Sequence, residues 1–325
     1  MPTRRTLIQS AAATALATPW LSSLSRAQAW PAKPITFVVP FPAGGGTDLV
    51  VRAMQSKLQA ELGVPVIVDN RSGAGGTVGT GTAARAAPDG YTLIVTTTST
   101  VAAALAVYPK LGYDPVKDLK HITFLGVSPY ILAVPASLEV KNLREFIAYA
   151  KAHKGQLNYA SVGAGTLSHL IGELFKQRAG VEVTHVPYRG AAPALVDLMG
   201  GVVQALFDNP ATLTQQIRAG KVKGLATTQK SALLSELPTF SESGLGSFTP
   251  ELWYGIAAPA NTPDSVVQRV HAAIAKVQED RSLRADYLSK GVTPLSLPTS
   301  LMQQRIAYDT QLWGSVAKSV GARAE

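Results

Sequence analysis

The feature that most constrains this chain is a recurring junction: a short apolar run, a glycine-rich turn, then residues at helical spacing. Residues 35–40 are apolar and mostly β-branched, residues 41–46 form a glycine turn, and residues 47–62 carry Leu49, Val50, Ala53, Met54, Leu58 and Leu62 on one helical face before Gly63. Residues 64–68 predict a second strand. The glycine loop 71–76 then leads into a small-residue helix through Ala87. A third strand at 91–96 ends in the hydroxyl-rich run Thr96, Thr97, Thr98, Ser99, Thr100. The junction returns at 157–179, as a strand, the turn Val162-Gly163-Ala164-Gly165 and a helix from Thr166. Strands alternating with helices in this way predict an α/β protein whose sheets are mainly parallel.

Between and after these junctions the alternation continues. Residues 123–127 and 130–134 predict strands. Asn142 then caps a helix through His153, with Glu145 in the capping-box position. Strands at 183–187, 204–207 and 222–227 interleave with helices at 191–199 and 211–219. A strand at 252–257 follows, then a helix started by Thr262 as cap and Pro263 at its first position. A final helix is expected over 299–319. Two α/β sets joined in mid-chain predict two doubly wound lobes: residues 30–127 plus 253–325 in one, 128–252 in the other. Open α/β sheets take ligands at the carboxyl ends of their strands, so the cleft between the lobes is the expected ligand site.

Residues 1–29 read as a targeting segment. Arg4 and Arg5 precede an Ala-rich apolar stretch, and Ala27-Gln28-Ala29 fits a small-x-small cleavage site. The run Thr3-Arg4-Arg5-Thr6-Leu7-Ile8 is compatible with twin-arginine export as well as an ordinary signal. The expected address is therefore the periplasm, with cleavage near Ala29. The segment holds three arginines and no acid, so its removal takes the net charge of the 325-residue chain from +9 to +6. Those cations are scattered, which argues against a nucleic-acid partner. The absence of cysteine excludes disulfides, Cys-based zinc sites, iron–sulfur clusters and a thiol nucleophile. No apolar run reaches the roughly 20 residues of a membrane span.

Three strand–glycine–helix junctions (40–48, 70–79 and 160–169) suit an anion. A helix start leaves N–H groups unpaired at the positive end of its dipole, and glycine lets a ligand reach them. None carries the Gly-Lys-Ser/Thr of a phosphate loop, and the dinucleotide fingerprint is incomplete at 163–168. A carboxylate requires neither signature. Ser161 lies on a strand–helix turn as a hydrolase nucleophile would, but Tyr159 stands where the nucleophile elbow needs glycine. The five histidines show no metal-ligand spacing. Asp48 and Asp208 read as turn or cap residues, with Asp208 also placed to accept a bond from a ligand hydroxyl or a water. No catalytic constellation, metal site or cofactor is expected. A secreted α/β hydrolase using Ser161, or a ligand sensor signalling to a membrane protein, stand as alternatives to a receptor.

Four separated segments carry a resemblance: residues 40–48 (PFPAGGGTD), 70–76 (NRSGAGG), 88–92 (PDGYT) and 186–190 (VPYRG). In this order they resemble the Bug family, the extracytoplasmic solute-binding receptors of tripartite tricarboxylate transporters. The resemblance implies a type II periplasmic-binding-protein fold, acting as a monomer that delivers a small carboxylated solute to membrane transporter subunits. That solute would be a dicarboxylate, an aromatic acid or an amino acid. It also implies that amides around Phe41, Ala43 and Gly44, with Gly45, Thr47 and Asp48, grip one carboxylate. Ser161, Gly163, Thr166, His169 and Asp208 would complete the grip from lobe two. Thr97, Thr98 and Ser99 would face the variable end of the solute, and Arg189 is the one cation in a promising loop.

Overall fold

A computed structural model describes residues 30–297 and 299–324; the expected signal segment lies outside these residues. The first half opens with β1 (Ile35–Val39), α1 (Gly46–Leu62), β2 (Val66–Asn70), α2 (Thr77–Ala84) and β3 (Thr92–Thr97). A π-turn (Ser99–Ala103) runs into α3 (Ala104–Val107), followed by β4 (Leu119–Ser128). The chain then crosses to β5 (Ile131–Pro135), α4 (Leu143–Ala152), β6 (Leu157–Ser161), α5 (Leu167–Ala179) and β7 (Val183–Pro187). Next come α6 (Ala191–Met199), β8 (Ala205–Asp208), α7 (Pro210–Arg218) and β9 (Val222–Thr227). The return brings β10 (Leu252–Pro259), α8 (Asp264–Gln278), α9 (Arg281–Ser289), β11 (Thr293–Pro294) and α10 (Thr299–Val320).

The strands form two sheets, ordered β11-β4-β10-β3-β1-β2 and β7-β6-β8-β5-β9. Neither is mainly parallel, which corrects the expectation. β1 runs parallel to β2 and β3, and β6 parallel to β7 and β8. By contrast, β10 lies antiparallel to both β3 and β4, and β5 antiparallel to β8 and β9. The right-handed parallel rule governs strands joined by a crossover within one sheet. β5 and β10 are each reached from the other sheet, so that rule does not constrain their direction.

Local sequence explains most boundaries. Asn142 accepts from Glu145 N at 2.9 Å, and Glu145 Oε2 reaches back to Lys141 N at 2.7 Å, a capping box shifted by one residue. Thr166 caps α5 through His169 N. Thr262 does not cap α8: its hydroxyl donates to Pro259 O at 2.7 Å, and Pro263 takes the cap position in extended backbone. The second strand sits two residues later than expected, because Ile35 pairs with Val66 and the register carries the polar Asp69 and Asn70 into the ladder. The small-residue helix stops at Ala84 rather than Ala87.

Aromatic packing holds the helices on sheet two. Phe175 lies 5.5 Å from Phe207 and 6.2 Å from Phe146, ring centre to ring centre, and all three are fully buried. Truncating any one would cost about 3–5 kcal/mol. α10 packs by the start of β10, where Trp253 Nε1 donates to Asp309 Oδ2 at 2.7 Å and Arg305 pairs with Glu251 at 3.0 Å. The glycine junctions of the two α/β layers lie against each other: a Cβ on Gly163 would stand 3.6 Å from Gly75 Cα.

Candidate functional site

The turn before α1 is built around Asp48. Its carboxylate is 1 % exposed and accepts from Gly44 N at 2.9 Å, Arg52 Nε at 2.8 Å and Asn70 Nδ2 at 2.9 Å. Burial alone would raise its pKa, but the bonds from Arg52, Gly44 and Asn70 outweigh it and hold the carboxyl below its ordinary value. Asp48 is therefore spent internally, and so is the Gly44 N–H. This corrects the expectation that both face a solute. The N–H groups of Phe41, Ala43, Gly46 and Thr47 have no partner among the described residues. All four residues line a cavity of about 620 Å³.

Segments from both sheets wall the rest of this cavity. From the end of β3 come Thr97 and Ser99. Thr98 turns away, accepting from Trp253 N at 3.0 Å and donating to Glu251 O. From sheet two come Tyr130, Val162, the start of α6 (Arg189, Gly190, Ala191, Ala192, Pro193) and the end of β8 (Asp208, Asn209). Leu252 closes the apolar side. Ala191 and Ala192, at the start of α6, have N–H groups with no partner among the described residues, as at the start of α1. Sequence reasoning found Arg189 but missed Ala191 and Ala192, although Gly190 before an apolar helical run was the available signal.

Asp208 and Asn209 behave as a unit. Asp208 Oδ1 accepts from Asn209 N at 2.8 Å and Asn209 Nδ2 at 2.9 Å, while Oδ2 has no partner among the described residues. Burial raises the Asp208 pKa to about 7. Asn209 reaches across to α1: a Cβ placed on Gly46 would stand 2.8 Å from its amide. Only glycine permits that approach. Ser99 Oγ likewise accepts from Leu167 N at 3.0 Å, and Tyr108 donates to Ala164 O at 2.9 Å, bridging the two sheets. Gly165 (φ +73°) lies so close to the Tyr108 ring that a Cβ would meet it at 2.4 Å.

The lobe-two turn supports the wall rather than forming it. Ser161 is fully buried, with Oγ 2.6 Å from His185 Nε2 and 3.1 Å from Gly163 O. His185 stacks on His169 at 4.0 Å, and His169 Nδ1 accepts from Gly165 N at 3.2 Å. Burial holds both imidazoles below their usual pKa, His185 at about 3, with like-charge repulsion from His169 adding to it. Thr166 Oγ1 donates to Gly163 O at 2.7 Å. Ser161, Thr166 and His169 thus shape the turn from beneath and do not line the cavity. Gly163 instead lines an adjoining space of about 990 Å³, which shares Phe41, Pro42, Val162, Arg189 and Gly190 with the first.

Two α/β layers with a cavity between them, lined by a helix start from each side, define a two-lobed solute-binding fold. Residues 50–322 match the tripartite tricarboxylate transporter family receptor. The chain is 33% identical to protein BugT of Bordetella pertussis over 311 residues, 95% of each chain. It superposes on the periplasmic binding protein BugD with TM-score 0.86 and 32% identity, covering 91% of this chain and 100% of that one. It superposes on Rpa4515 of R. palustris, solved with adipate, with TM-score 0.87 and 34% identity over 90% and 99%. The chain belongs to the tripartite tricarboxylate transporter receptor family, a family of periplasmic binding proteins.

Proposed function

We propose that this receptor closes on a small carboxylated organic solute, without altering it, and delivers it to membrane transporter subunits. The observation that carries the reading is that two helix starts line one cavity with amides that have no partner among the described residues: Ala43, Gly46 and Thr47 on one side, Ala191 and Ala192 on the other. Hydrogen bonds to a charged group contribute roughly 1.5–3 kcal/mol each. Association costs on the order of 4–15 kcal/mol, so at mid-range values five such bonds leave roughly 2 kcal/mol, short of the ~8 kcal/mol of micromolar binding. Burial of the solute body against Phe41, Tyr130, Val162 and Leu252 supplies the difference.

The lobes in this reading are residues 30–127 plus 253–325 and residues 128–252, hinged at 126–128 and 251–254. Two chain crossings support that division, one between β4 and β5 and one into β10. The working form is an exported monomer cleaved near Ala29. Binding without chemistry is supported by Ser161, which is sealed from the cavity and paired to an imidazole too weakly basic to take its proton.

A thermal-shift screen of the chain from residue 30 against mono- and dicarboxylic acids, aromatic acids and amino acids tests the proposal. A ligand at 100 times its Kd adds about 2.7 kcal/mol of stability. At least one class of carboxylate should raise Tm while its amide counterpart does not. Stabilisation by amides and acids alike would refute it.

A further inference from the structure

Asp208 is a buried acid with half of its carboxyl unused. It ends β8 and is 2 % exposed, yet it lines the interlobe cavity. Oδ1 accepts from both the backbone and the side-chain N–H of Asn209, while Oδ2 finds no hydrogen-bond partner among the described residues. No cation among the described residues compensates its charge. Ile131 pairs with Asp208 across the β5–β8 ladder and sets Tyr130 beside it. Tyr254 comes from β10, Thr212 from the first turn of α7, and Arg189, which also lines the cavity, precedes α6. Burial and then the Asp208 charge push both phenols upward, so they stay neutral. Tyr254 OH is itself buried without a partner among the described residues. The other titratable groups of these turns are committed: Asp48 to Arg52, and His185 to Ser161, with His169 stacked on it.

This acid also lies close to the α1 amides. Asn209 Nδ2 is 2.9 Å from Asp208 Oδ1 and 2.8 Å from the Cβ position of Gly46, so Oδ1 stands within about 5.7 Å of that position. The N–H groups of Gly46 and Thr47 are among those without a partner among the described residues. A carboxylate seated on them meets a second carboxyl at short range, and salt screens buried charges little. Two carboxylates sharing a site do not both stay ionised. The solute's is bonded by amides, which favour its charged form, whereas burial already disfavours the charged form of Asp208. We propose that Asp208 is a proton-binding residue of the receptor: closure on an anionic solute loads one proton from solvent onto Oδ2, and anion and proton travel together. The proposal rests on the receptor reading above and adds a second, smaller cargo to it.

Isothermal titration of the chain from residue 30 with hexanoate, adipate, succinate and benzoate, in buffers of contrasting ionisation enthalpy, counts the protons. Free Asp208, with a pKa of about 7, is ionised at pH 8.5 and protonated at pH 5.5. Binding should therefore take up more than half a proton per solute at pH 8.5 and essentially none at pH 5.5. Affinity should fall as pH rises from 7 to 9, approaching about tenfold per unit. In Asp208→Asn the uptake should vanish and the affinity should no longer vary with pH over that range. Difference infrared spectra of the unaltered chain need no variant. As an acid from this set carrying a 13C carboxyl is added at pH 8.5, a protonated-carboxyl band should grow at the unlabelled frequency. Heats independent of buffer at pH 8.5, or a proton still taken up by Asp208→Asn, overturn the assignment alone. If none of the four acids binds the unaltered chain, the receptor reading falls and the assignment with it.

Discussion

Replacing Gly46 by Ala separates lobe closure from folding. The backbone there has an ordinary φ, so alanine meets no conformational strain. Because Gly46 opens α1, the change adds helix propensity, worth up to about 1 kcal/mol. The Gly46 N–H, which has no partner among the described residues, is also retained. What changes is the new methyl, which would stand 2.8 Å from both Asn209 Nδ2 and Oδ1. Ordinary contact begins near 3.4 Å, so Asn209 must yield by about half an ångström or the lobes must part. Asn209 is bound through its backbone and amide to Asp208, which limits how far it can yield. Overpacking of this kind costs about 1–3 kcal/mol, and here it falls only on the closed form. If binding requires closure, affinity falls by the same free energy, roughly 5- to 150-fold. The ligand-free Tm should stay level or rise slightly. Titration calorimetry with the best acid from the screen, beside differential scanning calorimetry of the free protein, reads both quantities. An unchanged Kd would refute the closure argument.

Other substitutions probe separate links. Tyr108→Phe removes the bond to Ala164 O at 2.9 Å that joins the lobes. At about 0.5–1.5 kcal/mol, its loss should weaken binding two- to tenfold with no drop in ligand-free Tm. Ser161→Ala empties the partner of His185; titration should show ligand binding retained, with a modest loss of Tm from the unpaired imidazole. Asp208 has a folded pKa of about 7, above the unfolded carboxylate value. The folded state then binds more protons between about pH 4 and 7, so this residue makes stability fall as pH rises through that window. Asp208→Asn should flatten the Tm profile between pH 5 and 8, raising Tm relative to the parent chiefly at the alkaline end.

Much of the fold was legible because local signals and tertiary demands agree. The strand at 157–161, the helix at 191–199 and the capped helix after Asn142 fall where apolar spacing and caps place them. The discrepancies have tertiary causes. Asp69 and Asn70 read as loop, yet pairing with β1 draws them into a strand. α9 escaped notice because Leu283 and Tyr287 are its only buried residues, too few for a visible stripe. The antiparallel strands β5 and β10 follow from chain crossings that no local pattern encodes. At the site, the glycine turns pointed to a cavity between the lobes, and Phe41, Ala43, Gly45, Thr47, Thr97, Ser99, Arg189 and Asp208 line the interlobe cavity. Asp48, Thr98, Ser161, Thr166 and His169 resemble ligand residues in sequence because they hold the same turns from behind. The approach of Asn209 to Gly46 joins residues 163 positions apart, a relation available only once the lobes are folded against each other.

The most direct measurement is a crystal structure of the protein grown with the acid that raises its Tm most. A carboxylate should lie between the lobes, its oxygens about 2.7–3.2 Å from the amide nitrogens of Ala43, Gly46 or Thr47 on one side and Ala191 or Ala192 on the other. An acid bound through side chains alone, or lodged outside the interlobe cavity, would contradict the account.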